Sequence, residues 1–450
     1  MLFAAALLLA GGALRFQQSA SAGSGIQLPN LLPLPNSSGL AATFSEGAIH
    51  LDNAFFQSFG TNGRSCGSCH LPTEGWSISA QNVRLRFYAT LGTDAIFRTN
   101  DGANCSTANV STFAAKQQAY SLLLKKGLIR VELPVPAGAE FAVTTVVNPY
   151  GCGNTSNVSV YRRPLPTANL GFLSTVMWDG RESHTGNTLR QNLLQQALDA
   201  TTGHAQGTGL SAANQAAIVD FEMALSTAQI FDFRAGKLDE QGATGGPQKL
   251  SQQPFFIGIN DPLGGNPTNA PFDPSAMTMF KSWANAHGPQ GDIRQSIARG
   301  EAIFNTRPIP ITGVAGLNDA LNAAVIPGTC TTCHDSPNAG NHSVALAINI
   351  GVSEVSRTEN ADLPVFTLEN LTTHQTTTTT DPGRALITGK WKDIGKTKGP
   401  VLRGLASRAP YFHNGSAATL GDAVDFYNTR FTLGFTAQEK ADLINFLSVL

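Results

Sequence analysis

Apolar residues recur with a helical period in several separate stretches of the chain. "TLRQNLLQQALDAT" from Thr188, "SAANQAAIVDFEMALSTAQIF" from Ser211, "DIRQSIARGEAIFNT" from Asp292 and "TAQEKADLINFLSVL" from Thr436 all read as amphipathic helices. The last opens with a Thr436/Glu439 capping box. In "TLGDAVDFY", Thr419 can cap a helix on which Leu420, Ala423, Val424 and Tyr427 share one face. A helix-like apolar pattern also runs through residues 46–70, "EGAIHLDNAFFQSFGTNGRSCGSCH". The period changes in "LIRVELPVPAGAEFAVTTVVNPYGC", residues 128–152, which alternates like strands around a Pro-Ala-Gly turn. "DLPVFTLEN" and "RALITGKW" look like a hairpin pair across the threonine run at 376–380, itself a solvated strand or loop. The pattern predicts a mainly α protein with a β-rich insertion at about 81–160.

The N-terminus, "MLFAAALLLAGGALRFQQSASAG", carries an apolar run too short to span a bilayer comfortably, followed by a small-residue cleavage pattern. It reads as a signal peptide, residues 1–22, cut after Ala22, and hence as a periplasmic or exported protein. A flexible segment at 23–45 is expected next. A Gly/Pro/Asn-rich linker at about 236–275 divides an N-terminal domain, 46–235, from a C-terminal domain, 276–450. The net charge of −1 over 450 residues gives no electrostatic case for nucleic acid or an anionic membrane surface. Only 14% of residues are charged, while the 45 glycines point to many loops.

The six cysteines are the most informative residues. Four form two C-x-x-C-H motifs, "CGSCH" at 66–70 and "CTTCH" at 330–334. Chance would give roughly 0.002 such patterns in this composition. The spacing is that of covalent haem c: two thiols add to the vinyl groups and the next imidazole reaches the iron. Zinc or dithiol redox chemistry would need further ligands or a βαβ context, and neither is visible. Two covalently bound haem c groups are therefore expected, on Cys66, Cys69 and His70 and on Cys330, Cys333 and His334. Cys105 and Cys152 pair as a disulfide in an exported chain, with free thiols as the alternative. Met177, Met223, Met277 and Met279 all precede the second motif, so no methionine downstream of it can ligate the second iron. Candidates there are His342, His374, His413, Tyr411 and Tyr427.

The two motifs, with "MWDGRE" at 177–182 and "RAPYFHNGSAATL" at 408–420, resemble the bacterial di-haem cytochrome c peroxidase and MauG superfamily. The resemblance implies two cytochrome c-type haem domains, the first haem reacting with hydrogen peroxide and the second storing or relaying electrons. It implies Trp178 as a relay between the haems and Tyr427 as the distal ligand of the second, fourteen residues after His413, with His413 and Arg181 close by. The family's distal glutamate, ten residues after the Gln of a Q-A pair, aligns with Gln206, so His204 is the alternative proton shuttle and Glu182 a further one. The family's calcium, held by an Asn and by carbonyls such as those of Arg408 and Pro410, is opposed here by Arg162 or Arg163 at the Asn position. Electrons would come from a small cytochrome or cupredoxin, or from a protein substrate, and a homodimer is compatible. An O2-using di-haem oxygenase and a non-enzymatic di-haem electron carrier are the alternatives.

Overall fold

The computed structural model describes residues 26–450, so the signal peptide expected at 1–22 lies outside the described residues. The chain is not mainly α as the pattern predicts: it is 30% helix and 16% strand, the strands spread over several small sheets. Helix forms where a 3.6-residue period persists, in several cases with a side-chain cap. Leu189–Gly203 is capped by Thr188, Ala212–Ala224 by Ser211, Leu420–Arg430 by Thr419 with Asp422, and Ala437–Ser448 by Thr436 with Glu439. The helix-like pattern before the first motif yields only a single 3-10 turn, Ala54–Phe56.

Two large apolar cores sit beneath the two motifs. One gathers Phe55, Trp76, Leu193, Val219 and Phe221; the other gathers Phe280, Trp283, Ile297, Phe304 and Phe446. In the second, helix Gly291–Thr306 lies against helix Ala437–Ser448 so closely that a Cβ on Gly300 would fall 2.1 Å from the Asp442 carbonyl oxygen. Only glycine permits that approach.

The strands correct two further expectations. Residues 23–45 were expected to be flexible, yet Gly39–Phe44 pairs antiparallel with Ser226–Asp232. Ala41, Ala42 and Thr43 are all buried, so a segment whose composition looks like loop supplies a buried strand. The partner of "DLPVFTLEN" is the threonine run itself: Val365–Asn370 pairs with Thr376–Thr379, while Ala385–Thr388 is a short helix. Val365–Asn370 also pairs with Phe141–Val147, so the β-rich insertion is stitched to the C-terminal half. Its other strands, Ile129–Pro134 and Asn157–Arg162, pair with each other. Cys105 and Cys152 stand as neighbouring free thiols. Among the described residues no helix is long and apolar enough to cross a membrane.

Candidate functional site

Both C-x-x-C-H motifs fold the same way. Cys66–Ser68 and Cys330–Thr332 are single 3-10 turns, each held by a capping box, Ser65 with Ser68 and Thr329 with Thr332. The His70 and His334 amides then donate to the Cys66 and Cys330 carbonyls, both at 3.0 Å. Each imidazole is turned by a bond to a nearby carbonyl: His70 Nδ1 lies 3.1 Å from Trp76 O and His334 Nδ1 lies 2.6 Å from Gly340 O. A carbonyl only accepts, so Nδ1 carries the proton and Nε2 keeps its lone pair. Burial pushes His70 down to about 4 and lowers His334 as well, so both rings are neutral. Two thiols and an imidazole lone pair in a dry pocket are the donor set that c-type haem requires.

Trp76 is itself fixed from the N-terminal strand, its indole N–H donating to Thr43 Oγ1 at 2.8 Å. The segment expected to be flexible thus sets the carbonyl that orients His70.

The first motif opens on a cavity of about 180 Å³ and the second on one of about 210 Å³. Trp178, Lys398 and Pro400 line both. Trp178 is buried and held at two points: its indole N–H donates to Arg163 O at 2.8 Å, and its carbonyl accepts the Lys398 amide at 2.9 Å. The His413 ring lies 6.0 Å from it, edge-on.

In the first cavity, His204 caps the end of the Leu189–Gly203 helix and its Nδ1 sits 2.6 Å from Asp101 Oδ2. Asp101 is also gripped by the Arg64 guanidinium. Burial alone would raise the Asp101 carboxyl, but the His204 hydrogen bond and the Arg64 charge outweigh it and hold the group below its usual value. Arg181 reaches the same cavity with its guanidinium on Asp179, 3.2 Å from both oxygens. Gln206 does not line the cavity: it is an exposed residue at φ 55°, bonded to Thr61 through its carbonyl. Glu182 is buried outside the lining, pushed up to about 7 by desolvation and by Asp199.

Three cavity residues escape the sequence reading. Asp101 and Arg64 come from loops with no motif. Glu222 lies buried in the first cavity, its carboxyl pushed up to about 8 by desolvation. Its position among Ile218, Phe221 and Leu225, a carboxylate on an apolar stripe, was an available signal. Lys398, at the boundary of both cavities, is pushed down to about 7 by burial against the opposing pull of Asp179, and its Nζ donates to Thr175 O at 2.6 Å.

The second cavity holds Tyr427, His413, His342 and Tyr411 with the motif residues. Tyr411 is engaged, its hydroxyl donating to Leu405 O at 3.0 Å. His342 Nδ1 is bonded to Asp335 at 3.1 Å, and His413 Nε2 lies 3.0 Å from Ser353 Oγ. Among the described residues, no hydrogen bond engages the Tyr427 hydroxyl, and burial raises its phenol well above the usual value. His374 lies outside this cavity, exposed and bonded to Glu369 at 2.8 Å.

No family model matches the chain. Curated relatives do. Cytochrome-c peroxidase IdrP2 of Denitromonas iodatirespirans is 34% identical over 135 residues, 27% of this chain and 36% of the relative. Cytochrome-c peroxidase IdrP1 of Pseudomonas sp. (strain SCT) is 28% identical over 196 residues, 39% of this chain and 45% of the relative. Over these stretches the chain is similar to cytochrome-c peroxidases, in line with the resemblance that the two motifs carry. The matches span less than half of these relatives' length. A solved structure, of a MauG-like protein associated with microbial copper homeostasis, is similar over 95% of both chains at 16% identity, with a TM-score of 0.40. The similarity to cytochrome-c peroxidases points to c-type haem as the cofactor.

Proposed function

We propose that this protein is a member of the di-haem cytochrome c peroxidase and MauG superfamily, an exported, peroxidase-type oxidoreductase carrying two covalent haem c groups, one in each cavity. The observation that carries the reading is the pair of cavities. Each opens on a C-x-x-C-H turn with a neutral, oriented imidazole, and the two share Trp178. Cys66, Cys69 and His70 would hold the first haem, and Cys330, Cys333, His334 and Tyr427 the second. Bound haem supplies redox-active iron on both sides of Trp178. Lys398, buried at the boundary and pushed down to about 7, places a titratable amine between the two cavities.

The chain's own part in peroxide reduction is proton handling. Converting H2O2 to two waters takes two electrons and two protons, and cleaving the O–O bond needs a proton moved from one oxygen to the other. His204 is placed for that transfer. Asp101 accepts from Nδ1, which leaves Nε2 to take a proton and return it, and Arg64 keeps Asp101 ionised. Gln206, the position the family resemblance offers, is exposed and does not line the cavity, which favours His204 for this role. The electrons come from a small cytochrome or cupredoxin, or from residues of a protein substrate. Tyr427 favours the second source, because a hard anionic oxygen ligand stabilises higher oxidation states over the ferrous one.

The deciding experiment is a titration of the mature diferric protein with one equivalent of H2O2, followed by absorption and EPR, with and without a reduced small cytochrome c. Rapid oxidation of the cytochrome identifies a peroxidase. A long-lived two-electron-oxidised protein that ignores the cytochrome identifies a protein-oxidising enzyme. Two low-spin irons with no reaction would overturn the proposal and leave an electron carrier.

A further inference from the structure

Arg163 is a buried cation with an unusual set of partners. Its Nη1 donates to Gly127 O at 3.0 Å and Lys126 O at 3.2 Å, and its Nη2 donates to Arg408 O at 3.1 Å and to Ile78 O. All four Nη hydrogens thus meet backbone carbonyls, drawn from three distant stretches of chain. Among the described residues, no carboxylate lies within ion-pair distance; Glu74 acts on it only from further away. Burial lowers its pKa to about 10, which leaves it charged at neutral pH. Gly127 is shaped to this arrangement: it sits at φ +61°, and a Cβ there would fall 1.9 Å from Arg163 Nη1.

The backbone of the same residue reaches the centre of the molecule. Its N–H donates to His413 O at 2.6 Å, and its carbonyl accepts the Trp178 indole at 2.8 Å. One residue therefore ties the turn after the first motif, the insertion and the C-terminal half to the tryptophan between the cavities.

The family resemblance implies a calcium ion at this junction, on carbonyls that include that of Arg408. That carbonyl is already satisfied here by a guanidinium. The residues do not fit the metal: a +2 ion would have to displace a buried +1 side chain and would find no carboxylate in its place.

We propose that Arg163 is a built-in replacement for the junction cation, a positioning residue that gathers the carbonyls and fixes Trp178 without any metal. The coupling between the two cavities is then independent of calcium. Only the description of Trp178 as a relay rests on the function proposed above; the metal replacement stands apart from it.

The test needs no peroxide. The holoprotein is dialysed against EGTA and titrated with CaCl2 by calorimetry, with absorption and EPR spectra recorded in parallel. No saturable heat and an unchanged spin state are expected. In R163M, which lacks the donors, electron equilibration between the two haems after photoreduction by one electron should slow by about 10²-fold, the scale of an ångström-level misplacement. R163K keeps the charge without the planar fork and should recover part of that loss. Stoichiometric calcium binding that shifts the spin state of the unmodified protein would overturn the proposal, and so would R163M equilibrating at the unmodified rate. If R163M fails to mature, the calcium titration of the unmodified protein still decides.

Discussion

The two cavities share a floor and differ in their far walls. Beneath each, the same five-residue turn, capping box and carbonyl-bound imidazole recur almost atom for atom. Opposite, the first presents His204, Asp101, Arg64 and Glu222, while the second presents an unengaged Tyr427 among apolar side chains. The floor is built within twelve residues by local hydrogen bonds, so one motif can write it twice. The far walls are assembled from segments remote in sequence, and there the two sites diverge: one carries a linked set of titratable groups, the other a tyrosine with no hydrogen-bond partner among the described residues.

Breaking the polar wall should have the largest effect. H204A is expected to slow the reaction with H2O2 by about 10²–10⁴-fold in stopped-flow absorption, with the spectrum of the second haem unchanged. D101N keeps His204 but loosens its orientation, and a loss of about 10–100-fold is expected, with partial recovery in D101E. An unchanged rate in both variants would remove the difference between the walls that the comparison rests on.

Y427F acts on the other side. The initial reaction with H2O2 should change less than about twofold, while EPR of the ferric second haem should lose its tyrosinate signature and its reduction potential should rise. A variant with altered peroxide kinetics and an unaltered second haem would reverse the assignment of roles.

Glu222 sharpens the comparison through stability. Its carboxyl, ordinarily near 4.5, is raised to about 8, so the folded chain keeps a proton that the unfolded chain releases between those values. The group's contribution to stability is therefore fully present below pH 4.5 and declines as pH rises toward 8, by at most about 1.4 kcal/mol per pH unit. E222Q has no such proton, and urea unfolding at pH 5 and pH 8 should show a smaller decline than in the unmodified protein. The smallest effect is expected from T43V, which strands the Trp76 N–H at a cost of about 1–3 kcal/mol and should perturb the first haem's spectrum but not the second's.

The legible parts of the molecule were those determined locally. Helices opening near Thr188 and Ser211 could be read from their period, those at Thr419 and Thr436 from period and cap together, and the motif cysteines and histidines from their spacing. The strands could not, because their partners are remote: Thr145 meets Thr367 and Thr43 meets Thr227. The same distance hid Asp101 and Arg64, whose significance arises only when the end of another helix delivers His204 to them. Gln206 misled for a smaller reason. A left-handed backbone at that residue leaves its side chain exposed, and no alignment of letters shows the turn.

The bond from Trp76 to Thr43 also bears on timing during synthesis. Thr43 is held by pairing with Thr227 in the strand Ser226–Asp232, far downstream of Cys66 and Cys69 in the chain. Until that strand arrives, the carbonyl that turns His70 has no fixed support, and the cysteines remain on an open, accessible chain. Covalent haem attachment, as proposed for Cys66 and Cys69, would meet its most open substrate before the sheet is complete.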